Sequence, residues 1–417
     1  MAKILVIGSG GREHSICKKF SESDLVEEVF VAPGNPGMIN CATLVDIDQM
    51  DFSNLISFAK EKKIDLTFVG PEIPLCGGIV DAFEKENLRI FGPRKSAALL
   101  EGSKVYSKAL MKKFNIPTAI YESFDNYELA KEYLSKQKMP IVIKADGLAA
   151  GKGVIIAENL IEANESLKEI MLDHKFKDAG NSVVIEEFLS GEEFSLLAFV
   201  NKDKVFPMQI AQDHKKAFDN DEGLNTGGMG AYTPVNHLPQ QSIDDAINQI
   251  LIPMAEGLCK ENNPFTGILY AGCMLSDGVV KTIEYNVRFG DPETEVILLA
   301  LENDLYQVII DVLDEKEVNL KFSDKSYIGL VMASKGYPES YEKGHAIYGL
   351  NDVNANIFHM GTAIMENKLV TNGGRVLFVA TEGNDLKSAQ NKLYEEVKKI
   401  KCTNLFYRLD IGNKGIK

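Results

Sequence analysis

The first 93 residues alternate short apolar runs with helical patterns. Apolar residues recur with helical spacing near residues 12 to 22, 51 to 62 and 77 to 87, which predicts three helices. The apolar runs predict four strands: KILVIG (3 to 8), EVFVAP (28 to 33), DLTFVGPE (65 to 72) and RIFGP (89 to 93). Strands that alternate with helices predict a doubly wound parallel sheet, in which ligands bind at the carboxyl ends of the strands.

Residues 94 to about 120 predict one helix that ends before Ile116-Pro117. The glycine loop LAAGKG (148 to 153) then lies between the predicted strands IVIKADG (141 to 147) and VIIAE (154 to 158). Because strands flank it on both sides, the loop resembles a hairpin flap over phosphates, with Lys144 on a strand and Lys152 at the tip. A plain glycine-rich hairpin is the alternative interpretation.

The central part of the chain contains a second glycine-dense loop, GLNTGGMGAYTP (223 to 234). Such a loop in a compact domain is more often functional than accidental. A helix near 241 to 262, two strands and a long apolar helix from 293 to 313 follow. We predict an α/β protein with domains at residues 1 to 102, 103 to 325 and 326 to 417, the last a small mixed α/β domain.

The stretch KTIEYNVRFGDPETE (281 to 295) carries the most suggestive polar pattern. Side chains alternate faces along a strand, so Glu284, Asn286 and Arg288 are expected to project together. A carboxylate, an amide oxygen and a guanidinium can hold Mg²⁺ and a polyphosphate. A solvated strand face is the alternative. Asp291 followed by Pro292 predicts the start of a helix, with Asp291 as its N-cap.

Composition narrows the possible functions. The 417 residues carry 45 basic and 60 acidic side chains, a formal charge of -15 that argues against a general nucleic-acid or anionic-membrane binder. The six cysteines form no CxxC pair and predict reduced thiols rather than disulfides or a zinc site. No apolar run approaches a membrane span, and MAKILVIGSGG enters a strand directly. We therefore expect a cytoplasmic protein.

Two familiar nucleotide motifs fit poorly. Gly8 and Gly10 match the first two positions of GxGxxG, but Glu13 stands at the third, and the second strand ends in APGN without an acidic residue for a ribose. The loop from Gly147 to Gly153 lacks P-loop spacing. The first loop still permits a backbone amide cradle for one phosphate, with simple tight-turn geometry as the alternative.

An ordered set of motifs resembles a known family. The motifs are IGSGGREH, VAPGN, VGPE, FGP, LEGSK, IPTA, VIKADGLAAGKGV, IEEFLSGEE, QDHK, NTGGMGAY, YNVRFGDPE and TNGGRVL, in order from residue 7 to 377. Together they resemble the glycinamide ribonucleotide synthetases, which are ATP-grasp enzymes. The resemblance implies a multidomain ATP-grasp architecture, with an N-terminal substrate domain and a mobile nucleotide-binding lobe at residues 120 to 190.

The resemblance also implies roles for matching residues. The expected ATP contacts are Lys104, Lys144, Gly147, Gly151, Gly153, Glu186, Glu187, Phe188, Leu189, Glu193, Lys216 and Asn225. The expected substrate contacts are Gly10, Gly11, Arg12, Asn35, Glu72, His214, Thr226, Gly227, Gly228, Met229, Gly230 and Asp291. Glu284 and Asn286 are expected to hold Mg²⁺ or Mn²⁺, and Arg288, Lys152 and Asp213 are the expected catalytic residues. Many ATP-grasp enzymes carry a further glutamate where this chain has Gly272.

The implied reaction joins two small molecules. Glycine would attack the γ-phosphate of ATP to give glycyl phosphate, and the amine of 5-phosphoribosylamine would then attack its carbonyl. Such steps depend on positioning and charge stabilisation. The phosphoribosyl phosphate is expected near Gly10, Gly11 and Arg12, its ribose near Asn35 and Glu72, and the glycine ammonium group on Asp213. A monomer without nucleic-acid or membrane partners is expected.

Three other functions are considered. A different ATP-grasp enzyme, such as a purine-pathway carboxylase, would share the nucleotide machinery but lack the GREH, QDHK and NTGGMG loops. An NAD-dependent dehydrogenase is disfavoured by Glu13 and the APGN strand end. A non-catalytic nucleotide-binding regulator would be expected to have lost Glu284 or Arg288, and both are present.

Overall fold

A computed structural model describes residues 1–148 and 153–416. The N-terminal part is a five-stranded parallel sheet of order β3-β2-β1-β4-β5, as its alternating pattern predicts. Its strands are β1 (Ala2–Gly8), β2 (Val26–Pro33), β3 (Thr43–Leu44), β4 (Leu66–Val69) and β5 (Ile90–Phe91). Its helices are α1 (Gly11–Ser21), α2 (Phe52–Lys62), α3 (Glu72–Gly77) and α4 (Ile79–Lys85).

The helix predicted over residues 94 to 120 is two helices, α5 (Lys95–Gly102) and α6 (Lys104–Lys113). Ser103 has an extended backbone (φ -141°, ψ 116°) and interrupts the run. Its hydroxyl accepts a hydrogen bond from the Tyr106 amide at 3.1 Å, which caps the second helix. The prediction of one helix was wrong because apolar periodicity continues across this cap.

The following lobe has its own sheet and core. Its strands are β6 (Tyr121–Phe124), β7 (Ile141–Ala145), β8 (Val154–Ala157) and β9 (Val183–Glu187), in the order β6-β9-β7-β8. Helices α7 (Tyr127–Leu134) and α8 (Leu160–Met171) cover it. The buried apolar side chains of these elements form a cluster separate from the two larger cores of the protein.

The next part builds a four-stranded antiparallel sheet of order β11-β10-β16-β17. Its chain order is β10 (Glu192–Asn201), β11 (Lys204–Pro207), β12 (Gln212–Asp213), β13 (Lys216–Phe218), β14 (Glu222–Asn225), β15 (Gly230–Thr233), α9 (Gln240–Ala246), a π-helical segment (Ile247–Leu251), α10 (Ile252–Lys260), β16 (Thr266–Ser276) and β17 (Val279–Asn286). Two short strands, β14 and β15, therefore lie within the stretch predicted as a loop.

The long apolar helix predicted over 293 to 313 is also divided, into α11 (Glu293–Ala300) and α12 (Leu305–Leu313). Leu301 is extended, and the Asp304 carboxylate caps the second helix by accepting from the Gln307 amide at 3.0 Å. The N-cap position of α11 is Pro292, without a side-chain cap. The predicted capping role of Asp291 was therefore wrong, and its carboxylate pairs with Arg375 instead.

The C-terminal sheet combines strands from two parts of the chain. It has the order β12-β15-β18-β22-β19, with a short strand beside β18, and its described pairings are antiparallel. The new elements are β18 (Ser326–Ser334), β19 (Asn356–His359), β20 (Thr362–Met365), β21 (Lys368–Thr371), β22 (Arg375–Gly383), α13 (Leu386–Val397) and β23 (Leu405–Phe406). The strands β12 and β15 connect this sheet to the central unit.

None of the helices in the described ranges is long and apolar enough to cross a membrane.

A buried aromatic cluster joins the N-terminal and central sheets. The Phe68 ring lies 5.5 Å from that of Phe91 and 6.0 Å from that of Phe289, measured between centroids. Phe199 on β10 packs against both Phe91 and Phe289. Rings at these separations stabilise the packing of the two sheets, both by burying apolar surface and by direct contacts between aromatic rings.

We expect Phe68→Ala to lower the free energy of unfolding by about 3–5 kcal/mol, because Phe68 is only 1% exposed and its loss leaves a cavity between two sheets. Denaturant titration followed by circular dichroism measures the effect. Phe218→Ala is the matched control, since Phe218 is 53% exposed. Equal effects of the two substitutions would contradict the assigned role of this cluster.

Candidate active site

A cavity of about 500 Å³ opens where the three parts of the chain meet. It is large enough for a nucleotide phosphate chain and a small substrate. Cationic side chains in its lining are Arg12, Lys104, Lys108, Lys144, Lys215, Arg288 and Arg375. Carboxylates in its lining are Glu72, Glu101, Asp213, Glu284, Asp291 and Glu293. Dense opposite charges around one cavity suit the binding of an anionic substrate with a metal ion.

The end of β17 brings three of the predicted residues to this cavity. Glu284, Asn286 and Arg288 all line it. Glu284 lies opposite Gly272 on β16, so no side chain from that position competes for the space. Burial raises the pKa of the Glu284 carboxyl, but the opposing effect of Lys215, Lys144, Lys104 and Arg288 is larger, so the pKa lies below its ordinary value. Glu284 is therefore held as a carboxylate.

Arg288 is fixed between two glutamates. Its Nε atom lies 3.3 Å from Glu72 Oε2, and its Nη2 atom lies 3.1 Å from Glu101 Oε1. Burial disfavours the guanidinium charge, but Glu101 and Glu72 outweigh burial and raise the pKa of Arg288. Nη1 donates to the Phe289 carbonyl at 3.2 Å. The side chain is therefore charged and held in one orientation beside Asn286.

Glu101 was not predicted from the sequence. It lies in the last turn of α5 and accepts a hydrogen bond from the Val287 amide at 2.7 Å. Burial raises the pKa of this carboxyl, and Arg288 opposes the rise. The LEGSK motif (100 to 104) contained the only sequence signal, and no local periodicity links it to residue 288.

Two lysines and Glu186 form a buried ion-pair group behind the cavity. Lys108 Nζ lies 2.5 Å from Glu186 Oε2, and Lys144 pairs with the other carboxylate oxygen. Lys144 Nζ also donates to the Ile283 carbonyl of β17 at 3.1 Å. Lys144 and Lys108 hold the pKa of the Glu186 carboxyl below its ordinary value, although burial alone would raise it. The side chain of Glu186 thus orients two cations that line the cavity.

The base of the predicted flap is anchored to α6. Lys104 Nζ donates to the Gly147 carbonyl at 3.2 Å, and the Val105 amide donates to the Asp146 carboxylate at 3.1 Å. Gly147 and Gly153 line the cavity on either side of the flap. Gly151 and Lys152, together with the rest of the predicted flap tip, lie outside the described residues.

Asp213 at the end of β12 and Lys215 just before β13 line the cavity. Burial raises the pKa of the Asp213 carboxyl to about 8, with Glu293 and Glu193 adding to the rise and Lys215 opposing it. Lys215 forms an ion pair with Glu193. Asp213 is thus a carboxyl whose ionised form a cationic ligand group would stabilise.

The loop after Asn225 only partly reaches the cavity. Thr226 and Gly227 line it. The Thr226 hydroxyl donates to the Lys215 carbonyl at 2.8 Å and accepts from the Gly228 amide at 2.9 Å. Gly228 has φ +108°, and a Cβ there would lie 2.4 Å from Pro292 Cδ. Met229 is fully buried, and Gly230 begins β15, so these two predicted substrate contacts support the loop from behind.

His214 has a structural environment. It is 2% exposed, and its Nε2 atom accepts a hydrogen bond from the Gly412 amide at 3.3 Å. Burial, followed by the nearby charges of Arg408 and Lys414, lowers the pKa of His214 to about 4. A neutral imidazole packed against the C-terminal segment does not line the cavity, so the structure gives no support to its predicted substrate contact.

The first glycine loop uses some of its donors internally. The Gly10 amide donates to the Glu13 carboxylate at 2.6 Å, an interaction that caps α1. Arg12 donates to Glu13 at 2.5 Å and to the Phe289 carbonyl at 3.1 Å. Gly11 lies against the Glu295 side chain: a Cβ atom at position 11 would be only 2.6 Å from Glu295 Oε1. In this conformation the Gly10 amide is not available to the predicted phosphate cradle.

A second cavity, of about 380 Å³, lies beside the first. Gly10 and Asn35 contribute to its lining. The Asn35 side chain is already occupied: Nδ2 donates to the Ser9 and His359 carbonyls at 2.8 and 2.9 Å, and Oδ1 accepts from the Gly37 amide. To contact the ribose as predicted, the Asn35 side chain would have to give up one of these hydrogen bonds.

The wall between the two cavities contains Asp291, Tyr337 and Arg375, which line both. Arg375 Nη1 lies 2.9 Å from Asp291 Oδ1 and donates to the Gly227 carbonyl at 2.7 Å. Tyr337 accepts from the Gly227 amide at 3.0 Å. Sequence reasoning missed Tyr337 and Arg375, although Arg375 lies within the TNGGRVL motif.

Several predicted nucleotide contacts lie away from the cavity lining in the described structure. They are Glu186, Glu187, Phe188, Leu189, Glu193, Lys216 and Asn225. Glu187 pairs with Lys281 at 2.9 Å, and Phe188 is 40% exposed. Lys215, and not its neighbour Lys216, lines the cavity. Consecutive residues of an extended chain face opposite ways, so a one-residue difference changes the face.

The predicted metal ligands fit a phosphate-bridged ion. The described residues contain no cluster of three or more His, Cys, Asp or Glu side chains suited to a metal ion. Glu284 and Asn286 supply one carboxylate and one amide oxygen beside four cavity cations. Mg²⁺ is usually bound by one or two carboxylates together with substrate phosphates and water. This donor set suits an ion that arrives with a nucleotide.

Comparison with protein families decides the classification. Models described as phosphoribosylglycinamide synthetase match almost the entire chain: the N domain over residues 2–101, the ATP-grasp (A) domain over 102–294 and the C domain over 327–414. The chain belongs to the phosphoribosylglycinamide synthetase family. The predicted family resemblance is thereby confirmed.

Curated relatives agree with this family. A phosphoribosylamine–glycine ligase of Halalkalibacterium halodurans is 54% identical over 415 residues, which cover 99% of this chain and 97% of the relative. One from Streptococcus pneumoniae is 50% identical over 419 residues, with both chains fully covered. Both relatives therefore align with this chain over almost its whole length.

Solved structures confirm the predicted multidomain ATP-grasp architecture. Phosphoribosylamine–glycine ligase from Thermotoga maritima superposes with a TM-score of 0.86 at 35% identity, covering 98% of this chain and 99% of the other. The biotin carboxylase domain of Hydrogenobacter thermophilus 2-oxoglutarate carboxylase, solved with MgADP, has a TM-score of 0.74 at 14% identity, with 97% and 91% covered. The second likeness shows that the synthetase shares its fold with biotin carboxylases.

Proposed function

We propose that this enzyme joins glycine to 5-phosphoribosylamine at the expense of ATP, giving glycinamide ribonucleotide, ADP and phosphate in purine biosynthesis. The observation that carries the proposal is the match of three family domains to the chain, together with a cavity whose described lining contains seven cationic and six carboxylate side chains. The glycine carboxylate attacks the ATP γ-phosphorus, and ADP leaves. The amine then attacks the glycyl phosphate carbonyl, and phosphate leaves while the nitrogen loses a proton.

The residues of the chain would act mainly by positioning and charge stabilisation. Lys104 and Lys144 bind the nucleotide phosphates, and Arg288 steadies the transferring phosphoryl group from its fixed position between Glu72 and Glu101. Glu284 and Asn286 would hold Mg²⁺ or Mn²⁺, and the bound ion would supply neutralisation of phosphate charge. Gly272 opposite Glu284 provides no further carboxylate, which favours ligation shared with phosphate oxygens.

The flap and its lobe would exclude water. An acyl phosphate is open to hydrolysis, and a closing lid protects it. Gly147 and Gly153 border the cavity. Lys152, which lies outside the described residues, is proposed as a catalytic residue. The lobe's separate core allows it to move as one body. We propose domain limits of 1–102, 103–325 and 326–417, with the moving lobe at 120–190.

Glycine would be recognised through its ammonium group by Asp213. Because burial raises the pKa of Asp213 to about 8, we expect glycine binding near neutral pH to be accompanied by release of a proton from this carboxyl. We expect kcat/KM for glycine to increase as pH rises towards about 8, and Asp213→Asn to lower it by about 10- to 100-fold and flatten this dependence. Initial rates at saturating ATP and phosphoribosylamine measure the profile.

The same carboxyl should influence stability. A carboxyl whose folded-state pKa is raised contributes stability that is fully present below its ordinary pKa near 4 and is lost as pH rises through about 8. Asp213→Asn should therefore remove that decline in thermal melts, whereas exposed Asp203→Asn should not. A wild-type glycine profile retained in Asp213→Asn would refute this role.

The decisive experiment measures ADP release with ATP, glycine and freshly prepared phosphoribosylamine, and then with each substrate omitted. Product analysis should show glycinamide ribonucleotide only when all three are present. A rate of ADP release that does not change when glycine and phosphoribosylamine are omitted would refute the proposal. We further propose a cytoplasmic monomer, which fractionation and sedimentation would test.

A further inference from the structure

The second cavity contains only one basic side chain among its described lining residues, and that residue is Arg375. Glycines and small polar residues form most of the remaining lining. We propose that this cavity binds the phosphate of phosphoribosylamine, with the turn from Asn372 to Arg375 as its cradle. The inference rests on the proposed function, and it assigns the phosphate to the C-terminal sheet instead of the first glycine loop.

The turn contains two backbone amides, those of Gly373 and Gly374, without a protein acceptor among the described residues, and both belong to residues that line this cavity. A Cβ at Gly374 would lie 2.2 Å from Tyr337 Cδ2, so glycine is needed for the turn to approach that ring. Adjacent amides without partners form an anion-binding concavity.

Arg375 adds a fixed guanidinium at the end of this turn. Its Nη1 atom donates to the Gly227 and Asp291 carbonyls at 2.7 and 2.9 Å and pairs with the Asp291 carboxylate. Within the described part of the chain, Nε and Nη2 donate no hydrogen bond to the protein. A planar guanidinium held at one nitrogen can present its other donors to a phosphate. Asp291 offsets part of its charge, so direct hydrogen bonding is the main contribution.

The alternative cradle, at the first glycine loop, has fewer donors available. Glu13 accepts from both the Gly10 amide and the Arg12 side chain. Arg12 also lines the first cavity and not the second. Asp291, Tyr337 and Arg375 line both cavities, so the two cavities are adjacent. With its phosphate bound in the second cavity, phosphoribosylamine would direct its amine towards the first cavity.

The test compares phosphoribosylamine with ribosylamine, which lacks the phosphate, using the full-length enzyme. Arg375→Met should lower kcat/KM for phosphoribosylamine by about 10- to 100-fold and leave KM for ATP and glycine within about twofold. It should leave the low kcat/KM for ribosylamine nearly unchanged. Arg375→Lys should recover part of the loss, and exposed Arg94→Met should match the wild type.

An equal loss with both amines would overturn the proposal, because it would show a structural role without a phosphate contact. A selective rise in KM for glycine would also overturn it and would place the glycine carboxylate on Arg375. If Arg375→Met does not fold, wild-type hydrogen exchange with ribose 5-phosphate decides: slower exchange at Gly373 and Gly374 supports the cradle, and unchanged exchange overturns it. Failure of the proposed function is distinguishable, since wild-type enzyme would then make no glycinamide ribonucleotide.

Discussion

Glu284→Ala should lower kcat by about 10³-fold or more while the protein stays folded. Glu284 is the only carboxylate among the two proposed metal ligands, and metal coordination contributes several kcal/mol of charge stabilisation to phosphoryl transfer. Lys215, Lys144 and Lys104 surround the same position, so the variant also leaves these cations without their shared counter-charge. Steady-state ADP release at several Mg²⁺ concentrations measures the loss.

The control for this variant is Glu256→Ala, which removes an exposed carboxylate of α10 that pairs with Lys260 at 3.4 Å. It should retain wild-type activity. Glu284→Asp keeps the charge with a shorter reach and should recover part of the activity, more so at high Mg²⁺. Full activity in a folded Glu284→Ala enzyme would refute the metal role.

Arg288→Met should lower kcat by about 10²- to 10³-fold, the range found when one fixed donor to a transition-state charge is lost. Arg288→Lys should restore only part of this, because one ammonium group cannot bridge Glu72 and Glu101 as the guanidinium does. Product formation with all substrates saturating measures kcat directly. KM for phosphoribosylamine should change much less than kcat.

Stability measurements separate the catalytic loss from structural damage. Removing Arg288 leaves Glu72 and Glu101 without their cation, so the thermal midpoint of Arg288→Met should fall as pH rises above the ordinary glutamate range. Arg89→Met is the matched control, because Arg89 is exposed and pairs with Asp314 at 2.8 Å. A kcat loss no greater than that of the control would show that Arg288 does not steady the phosphoryl group.

Periodicity within single segments of the sequence predicted the helices and strands whose apolar pattern is set by that segment alone. The alternating strands and helices of residues 1 to 93 and the spacing of Glu284, Asn286 and Arg288 are examples, since period and burial are properties of one segment. The breaks at Ser103 and Leu301 were missed because apolar periodicity continues through both. The strand β15 was missed because its partner β18 lies almost a hundred residues later in the sequence. The strand β14 pairs with its near neighbour β13 and was missed within a glycine-rich stretch that reads as a loop.

The site itself depends on contacts that no local pattern contains. Glu101 meets Arg288 across 187 positions of sequence, and Arg375 meets Asp291 across 84. Family motifs marked both stretches as significant without indicating their partners. The sequence left two roles open for the first glycine loop, because a glycine loop before a helix suits either a capping contact by Glu13 or a ligand. The structure has the capping contact, in which Glu13 accepts from Gly10 and Arg12.

The shared sheet of the C-terminal part limits how this chain can be divided. Tyr327 to Leu330 of β18 pair along one edge with β15, which precedes them by almost a hundred residues. A fragment cut at residue 326 would expose that edge, with its unpaired amides and carbonyls, and would be prone to self-association. A fragment of the C-terminal part that begins at the proposed limit of residue 326 would therefore need to include β12 and β15 as well.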